Sequence, residues 1–133
     1  MSSTQRGYNR HKSDYYITPK KDIKEFLGAW LWDLQQENHW LADRPDKARW
    51  FDPCAGGDAT HGMSYPEVLE EEFGVLAATN DIREDSPADI HEDCLLLDPF
   101  PTKPHVIITN PPFNIAEPII VHALDCVQDD GFV

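Results

Sequence analysis

Two periods of apolar residues run along this chain, and they divide it into helices and strands. Ile23, Phe26, Leu27, Trp30, Leu31 and Leu34, then Trp40 and Leu41, recur at the three-to-four spacing of one helix with a buried face, and Trp32 falls off that stripe. Thr18 is positioned as its cap with Pro19 at the first helical residue, and Pro45 breaks it. Short apolar runs follow at residues 48–53 (ARWFDP), 75–81 (VLAATND) and 105–110 (HVIITN), each the length of a buried strand. Residues 94–100 (CLLLDPF) read either as a weak strand or as an apolar turn before Pro99. Tyr65–Phe73, with Ser64 as cap and Gly74 as stop, reads as a helix, and so does the run 115–128 containing Pro118. Residues 129–133 (DDGFV) look like a turn entering a fifth strand.

Strands alternating with helical connections imply an α/β fold, a parallel sheet flanked by helices. Right-handed crossovers would bring the ends of the strands to one edge, where open sheets of this kind bind ligands. Residues 1–14 read as a flexible arm and 15–133 as one α/β domain. Because Val133 falls inside the expected fifth strand, the sheet reads as incomplete at its C-terminus, to be finished by a further segment or a partner chain.

Composition narrows the class. The chain has 133 residues, 41% hydrophobic and 26% charged, which excludes a disordered chain, and no apolar run reaches the length of a membrane span. Three cysteines without CxxC spacing favour reduced thiols in a cytoplasmic protein, and no metal site is read from the sequence. The formal charge of -13 repels nucleic acid unless basic residues gather on one face. They gather early, at Arg6–Lys12 and at Lys20, Lys21 and Lys24, either as a solvated tail or as a phosphate-contacting arm.

The unusual residues sit at the strand ends. Asp52, Pro53, Cys54, Ala55, Gly56 and Gly57 follow the first strand, a sequence whose backbone can approach a ligand closely. Asp81 follows the second strand, where a carboxylate can accept two ribose hydroxyls, and Asp93 precedes the third apolar run. The run 105–110 ends in Asn110, Pro111, Pro112 and Phe113. The prolines stiffen this loop and hold Asn110 extended. The Asn110 amide oxygen and the Pro111 carbonyl are then positioned to accept both hydrogens of a planar amino group, and Phe113 offers a face on which a base can stack.

In this order the segments resemble the amino-group DNA methyltransferases, specifically the adenine-N6 branch. "FDPCAGGDA" is similar to that family's first motif, "TNDI" to its ribose-binding motif, "EDCLL" to its third and "NPPF" to its catalytic motif. "YYITPKK" (15–21) resembles the motif that precedes them, so the likeness covers about residues 15–133. The resemblance implies a Rossmann-like fold and S-adenosylmethionine as cofactor. It implies that Thr18, Pro19, Asp52, Pro53, Ala55, Gly56, Asp81, Ile82, Asp93 and Cys94 line the cofactor. It further implies that Asn110, Pro111, Pro112 and Phe113 grip an adenine flipped out of DNA. Neither a metal nor a membrane is expected. Two other readings stay open at this point: a non-catalytic module derived from such an enzyme, and a methyltransferase acting on RNA or on protein glutamine.

Overall fold

A computed structural model describes residues 17–133; the expected N-terminal arm, including the basic run Arg6–Lys12, lies outside the described residues. The elements, in chain order, are helix α1 (Lys20–Gln36), the short helix α2 (Trp40–Asp43), strand β1 (Trp50–Asp52), helix α3 (Ser64–Phe73), strand β2 (Ala78–Thr79), strand β3 (Val106–Ile107) and helix α4 (Ala116–Cys126). Tight 3-10 turns occupy Pro45–Lys47, Cys94–Leu96 and Phe113–Ile115.

The long first helix of the sequence reading is two helices. Asn38 adopts a left-handed conformation (φ 58°). Around it the His39 N–H returns to the Leu34 carbonyl at 2.9 Å and the Asn38 N–H to Gln35 at 3.0 Å. That pair of bonds is a helix-ending motif, and asparagine is one of the few side chains that tolerates the backbone it needs. The helix begins one residue later than expected: Pro19, not Thr18, takes the capping position, and no side chain caps it. The Thr18 hydroxyl is used elsewhere, as described below. α3 begins at Ser64 rather than after it, and Gly74 closes it at φ 66°.

The sheet is parallel, with β1 in the centre. Phe51 pairs with Ala78 of β2 on one side and with Ile107 of β3 on the other. Isolated parallel bridges extend it at both edges, Asn80 to Ile90 and Val106 to Phe132. The lateral order is therefore Ile90, β2, β1, β3, Phe132, and the chain reverses its direction of travel between β1 and β3. The run 94–100 is a turn and not a strand; Ile90 takes the outer position instead.

The two-residue period of β1 sorts the core. Trp50 packs on one face with Ile23, Leu27, Leu34 and Leu41 from α1 and α2 and with Val68 and Leu69 from α3. Phe51, the next residue, packs on the other with Phe100, Ile107, and Ile119, Ala123 and Cys126 from α4. Val106 and Ile107 divide in the same way. The Trp50 ring meets the edge of Trp30 at 6.2 Å, and its Nε1–H donates to the Pro45 carbonyl at 2.9 Å. Phe26, counted in the apolar stripe of α1, is exposed. Among the described residues no helix is long and apolar enough to cross a membrane.

Candidate functional site

Because all the strands run the same way, the segments that follow them emerge at one end of the sheet. These are residues 53–57 after β1, 80–83 after β2, 92–94 after the Ile90 bridge and 109–113 after β3. The reversal between β1 and β3 opens a crevice there.

Asp52 ends β1 and is fully buried. Its Oδ1 accepts from the Thr109 hydroxyl at 2.6 Å and from the Cys54 N–H at 3.2 Å, which ties the loop after β1 to the segment after β3. Its Oδ2 is buried with no hydrogen-bond partner. Burial pushes this carboxyl up to about 7, against the pull of the Thr109 and Cys54 bonds, and the Asp81 charge pushes the same way. Asp52 thus lies beneath the crevice and not on its wall.

Asp81 holds the glycine loop. Its Oδ2 accepts from the Gly56 N–H at 2.8 Å, and its Oδ1 accepts from the Arg83 N–H at 2.9 Å. The buried Arg83 guanidinium pairs with it, Nε lying 3.2 Å from Oδ1, and Arg83 also donates to the Gly57 carbonyl at 2.6 Å. Ser86 Oγ donates to the Gly56 carbonyl at 2.6 Å. Gly56 and Gly57 both have positive φ, and a Cβ on Gly57 would come within 2.9 Å of Pro87 Cδ. Asp58, which follows them, bends back into its own turn and accepts from the N–H groups of Thr60 and His61, each at 2.8 Å. The Thr60 N–H foremost holds that carboxyl below the usual range.

Asn80 is completely buried and fastens two of the segments together. Its Nδ2 donates to the carbonyls of Pro53 and Glu92, both at 2.9 Å, and its Oδ1 accepts from the Glu92 N–H at 3.0 Å. The Ala55 N–H donates to the Asn80 carbonyl at 2.9 Å. Both the amide nitrogen and the amide oxygen of Asn80 are thereby engaged internally.

A hollow of about 50 Å³ lies between these segments, lined by Pro53, Cys54, Asp81, Ile82, Asp93, Cys94 and Pro112 among others. Ile82 is exposed on its lip. Asp93 caps the turn Cys94–Leu96, its Oδ1 accepting from the Leu95 N–H at 3.0 Å. The Cys54 thiol donates to the Cys94 sulfur; this bond foremost, with burial behind it, pushes the Cys54 thiol up. None of the three cysteines is bridged.

A second hollow, of about 490 Å³, lies on the other side of the Asn110–Pro112 segment. Tyr65, Thr109, Pro111, Phe26, Trp30 and Ile120 line it. Asn110 is tied to the segment before α1, its Nδ2 donating to Thr18 Oγ1 at 3.0 Å. Thr18 also shares a hydrogen bond with Tyr65. The segment after β3 is therefore a wall between two hollows, with Pro112 facing the smaller and Thr109 and Pro111 the larger.

Compared with protein-family models, curated proteins and solved structures, the chain matches none of them.

The structure thus brings together, around one hollow, Pro53, Asp81, Ile82, Asp93, Cys94 and Pro112 of the residues singled out in the sequence. Ala55 and Gly56 support it through their backbones. Pro19 is exposed away from it, and Phe113 is 64% exposed beyond Pro112. Sequence reasoning missed Asn80, Arg83, Ser86 and Thr109. All four bond to backbone, and backbone partners leave no spacing to read. Lys20 pairs with Glu67 and Glu71, and Lys24 with Glu72, all on α3.

Proposed function

We propose that this chain is a Rossmann-like, S-adenosylmethionine-dependent methyltransferase domain of the adenine-N6 DNA type. The observation that carries the reading is the wall between the two hollows. Pro112 borders the small hollow with Asp81 and Asp93, which we assign to a cationic nucleoside, and Thr109 and Pro111 border the larger one with Phe26, Trp30, Tyr65 and the β3 residues Val106–Ile108, which we assign to a base. The strand order on either side of β1 supports the fold assignment, since ligands of doubly wound sheets bind where that order reverses.

The donor set fits this cofactor. Asp81 and Asp93 line the small hollow, and lone pairs beyond those given to Gly56, Arg83 and Leu95 would accept from hydroxyl and amino groups. Ile82 offers an apolar face at the lip. The small hollow would hold one edge of a base between Ile82, Asp81 and Asp93. When bound, the cofactor supplies an electrophilic methyl group on a sulfonium. The chain's own task is to prepare the amino group. Asn110 Oδ1 and the Pro111 carbonyl accept its two hydrogens, which returns the lone pair from the ring to the nitrogen and holds it in line. Phe113 stacks on the base. No strong general base is needed, because the proton leaves to solvent after transfer.

A second reading has its own observation. The net charge of -13 and the pairing of Lys20 and Lys24 with glutamates disfavour a DNA backbone, and favour a module that binds the cofactor without turnover. Calorimetry with S-adenosylmethionine, followed by transfer of a tritiated methyl group to DNA or to RNA, tests both. Heat without transfer to either nucleic acid supports the second reading, and absence of heat defeats both.

A further inference from the structure

Away from the crevice, at the C-terminal end of α4, the fold assembles three side chains that the sequence does not place together. Asp98, His122 and Cys126 each offer one donor atom, and these atoms lie within 4.8 Å of one another. His122 and Cys126 stand four residues apart and so share a face of α4. Asp98 comes from the loop after the turn Cys94–Leu96. From this arrangement we propose a metal site of the zinc class, held by Asp98, His122 and Cys126.

The separation of two of the three donors suits a tetrahedral ion. Cys126 Sγ and His122 Nε2 are 3.7 Å apart. A sulfur and an imidazole nitrogen bound to one zinc at their usual lengths are separated by about 3.6 Å. The His122 ring is held in place by Phe100, which meets it edge-on at 4.9 Å, and its Nε2–H donates to the Leu97 carbonyl at 2.7 Å. An ion at Nε2 would displace that bond, with the ring proton on Nδ1. Cys126 is buried and Asp98 exposed, so the site has a protected thiol and an open carboxylate side through which an ion enters. One thiolate, one imidazole and one carboxylate select zinc over the hard cations, which prefer all-oxygen shells, and leave a fourth position for water.

The site has a structural consequence. The turn Cys94–Leu96 contacts α4, Cys94 lines the small hollow from one side, and Ile115 and Ile119 line it from the start of α4. An ion joining Asp98 to the far end of α4 would fasten those two walls to each other. This proposal stands independently of the methyltransferase reading.

The test uses the whole chain, stripped with a chelator and titrated with Co²⁺ alone as a spectroscopic probe, then with Zn²⁺. The expected result is one equivalent of Co²⁺ with a thiolate-to-metal charge-transfer band, displaced by Zn²⁺. Cys126→Ser should abolish the band and Cys54→Ser should retain it. Asp98→Asn, at an exposed position that leaves the fold intact, should weaken Zn²⁺ binding ~100-fold or more and remove any rise in melting temperature on adding Zn²⁺. Absence of a thiolate band in the wild-type chain overturns the proposal. So does a band that survives Cys126→Ser or is lost with Cys54→Ser, and so does unchanged affinity in Asp98→Asn.

Discussion

The Thr109 hydroxyl donates to Asp52 Oδ1 at 2.6 Å, joining the last residue of β1 to a residue just beyond β3 at the place where the sheet reverses its order. The other carboxylate oxygen is sealed in without a partner. This one side chain therefore both fixes the crevice and burdens the fold with a carboxyl raised from 3.8 to about 7.

The burden has a definite pH dependence. Between 3.8 and about 7 the folded chain holds a proton on Asp52 that the unfolded chain has released. Stability contributed by this group is thus present at low pH, declines as pH rises through that window, and stays lost above it. Asp52→Asn should remove the decline. In urea unfolding, the variant should gain roughly 2–4 kcal/mol on the wild type between about pH 4 and pH 8. Parallel curves for the two proteins across that range would show that Asp52 ionises normally.

Asp81→Ala should act on the fold before it acts on any ligand. It strips the Gly56 N–H of its acceptor and leaves the buried Arg83 without its carboxylate at 3.2 Å. A loss of about 1–3 kcal/mol in urea unfolding is expected, from the lost hydrogen bonds to Gly56 and Arg83, while Asp85 at 3.0 Å still pairs with the guanidinium. Asp93→Ala disturbs only a turn cap and should cost about 1 kcal/mol. Under the proposed function both should lower the S-adenosylmethionine heat in calorimetry. Undiminished binding in Asp93→Ala would remove that residue from the cofactor site.

Asn110→Ala and Phe113→Ala should separate binding from transfer. Both residues lie outside the smaller hollow, so cofactor affinity should be kept. Methyl transfer should fall by about a hundredfold in Asn110→Ala, the usual effect of removing one fixed polar contact to a reacting group. Phe113→Ala should change stability by less than about 0.5 kcal/mol, since the ring is exposed, and still reduce transfer. Wild-type turnover in both variants would end the assignment of a catalytic loop.

Gly57→Ala is a test of the glycine loop alone. The backbone sits at φ 79°, and the added methyl meets Pro87 Cδ at 2.9 Å and the His61 carbonyl at 3.1 Å. The strained backbone and the contact together should cost about 1–3 kcal/mol by thermal or urea unfolding. A neutral result would mean that the loop readjusts freely, and that Gly57 is not needed for its shape.

Much of the architecture was legible because it rests on periodicity. The alternation of Trp50 and Phe51, and of Val106 and Ile107, sends neighbours to opposite faces, and the helical stripe of α1 buries Ile23, Leu27 and Leu34 as its spacing implies. The break at Asn38 was missed because apolar spacing continues across it at Trp40 and Leu41, while the residue that stops the helix acts through its own φ angle. The run 94–100 stayed open between strand and turn because its leucines are apolar without a strand's alternation; it is a turn, which buries Cys94 and leaves Leu96 exposed. At the crevice the sequence pointed to the acids but not to their work. Asp52 lies under the site and Asp81 spends bonds on Gly56 and Arg83, both consequences of burial that one-dimensional spacing does not carry.

The carboxamide of Asn80 leaves the chain no spare chemistry at that position. An aspartate would keep the shape and exchange a single NH2 for an oxygen, yet that oxygen would face the Pro53 and Glu92 carbonyls with no hydrogen between them. A saturation scan should therefore find residue 80 less forgiving of its nearest isostere than the surrounding acids are of alanine. The spontaneous conversion of asparagine to aspartate, harmless on most surfaces, would here mark the moment an ageing molecule loses its crevice.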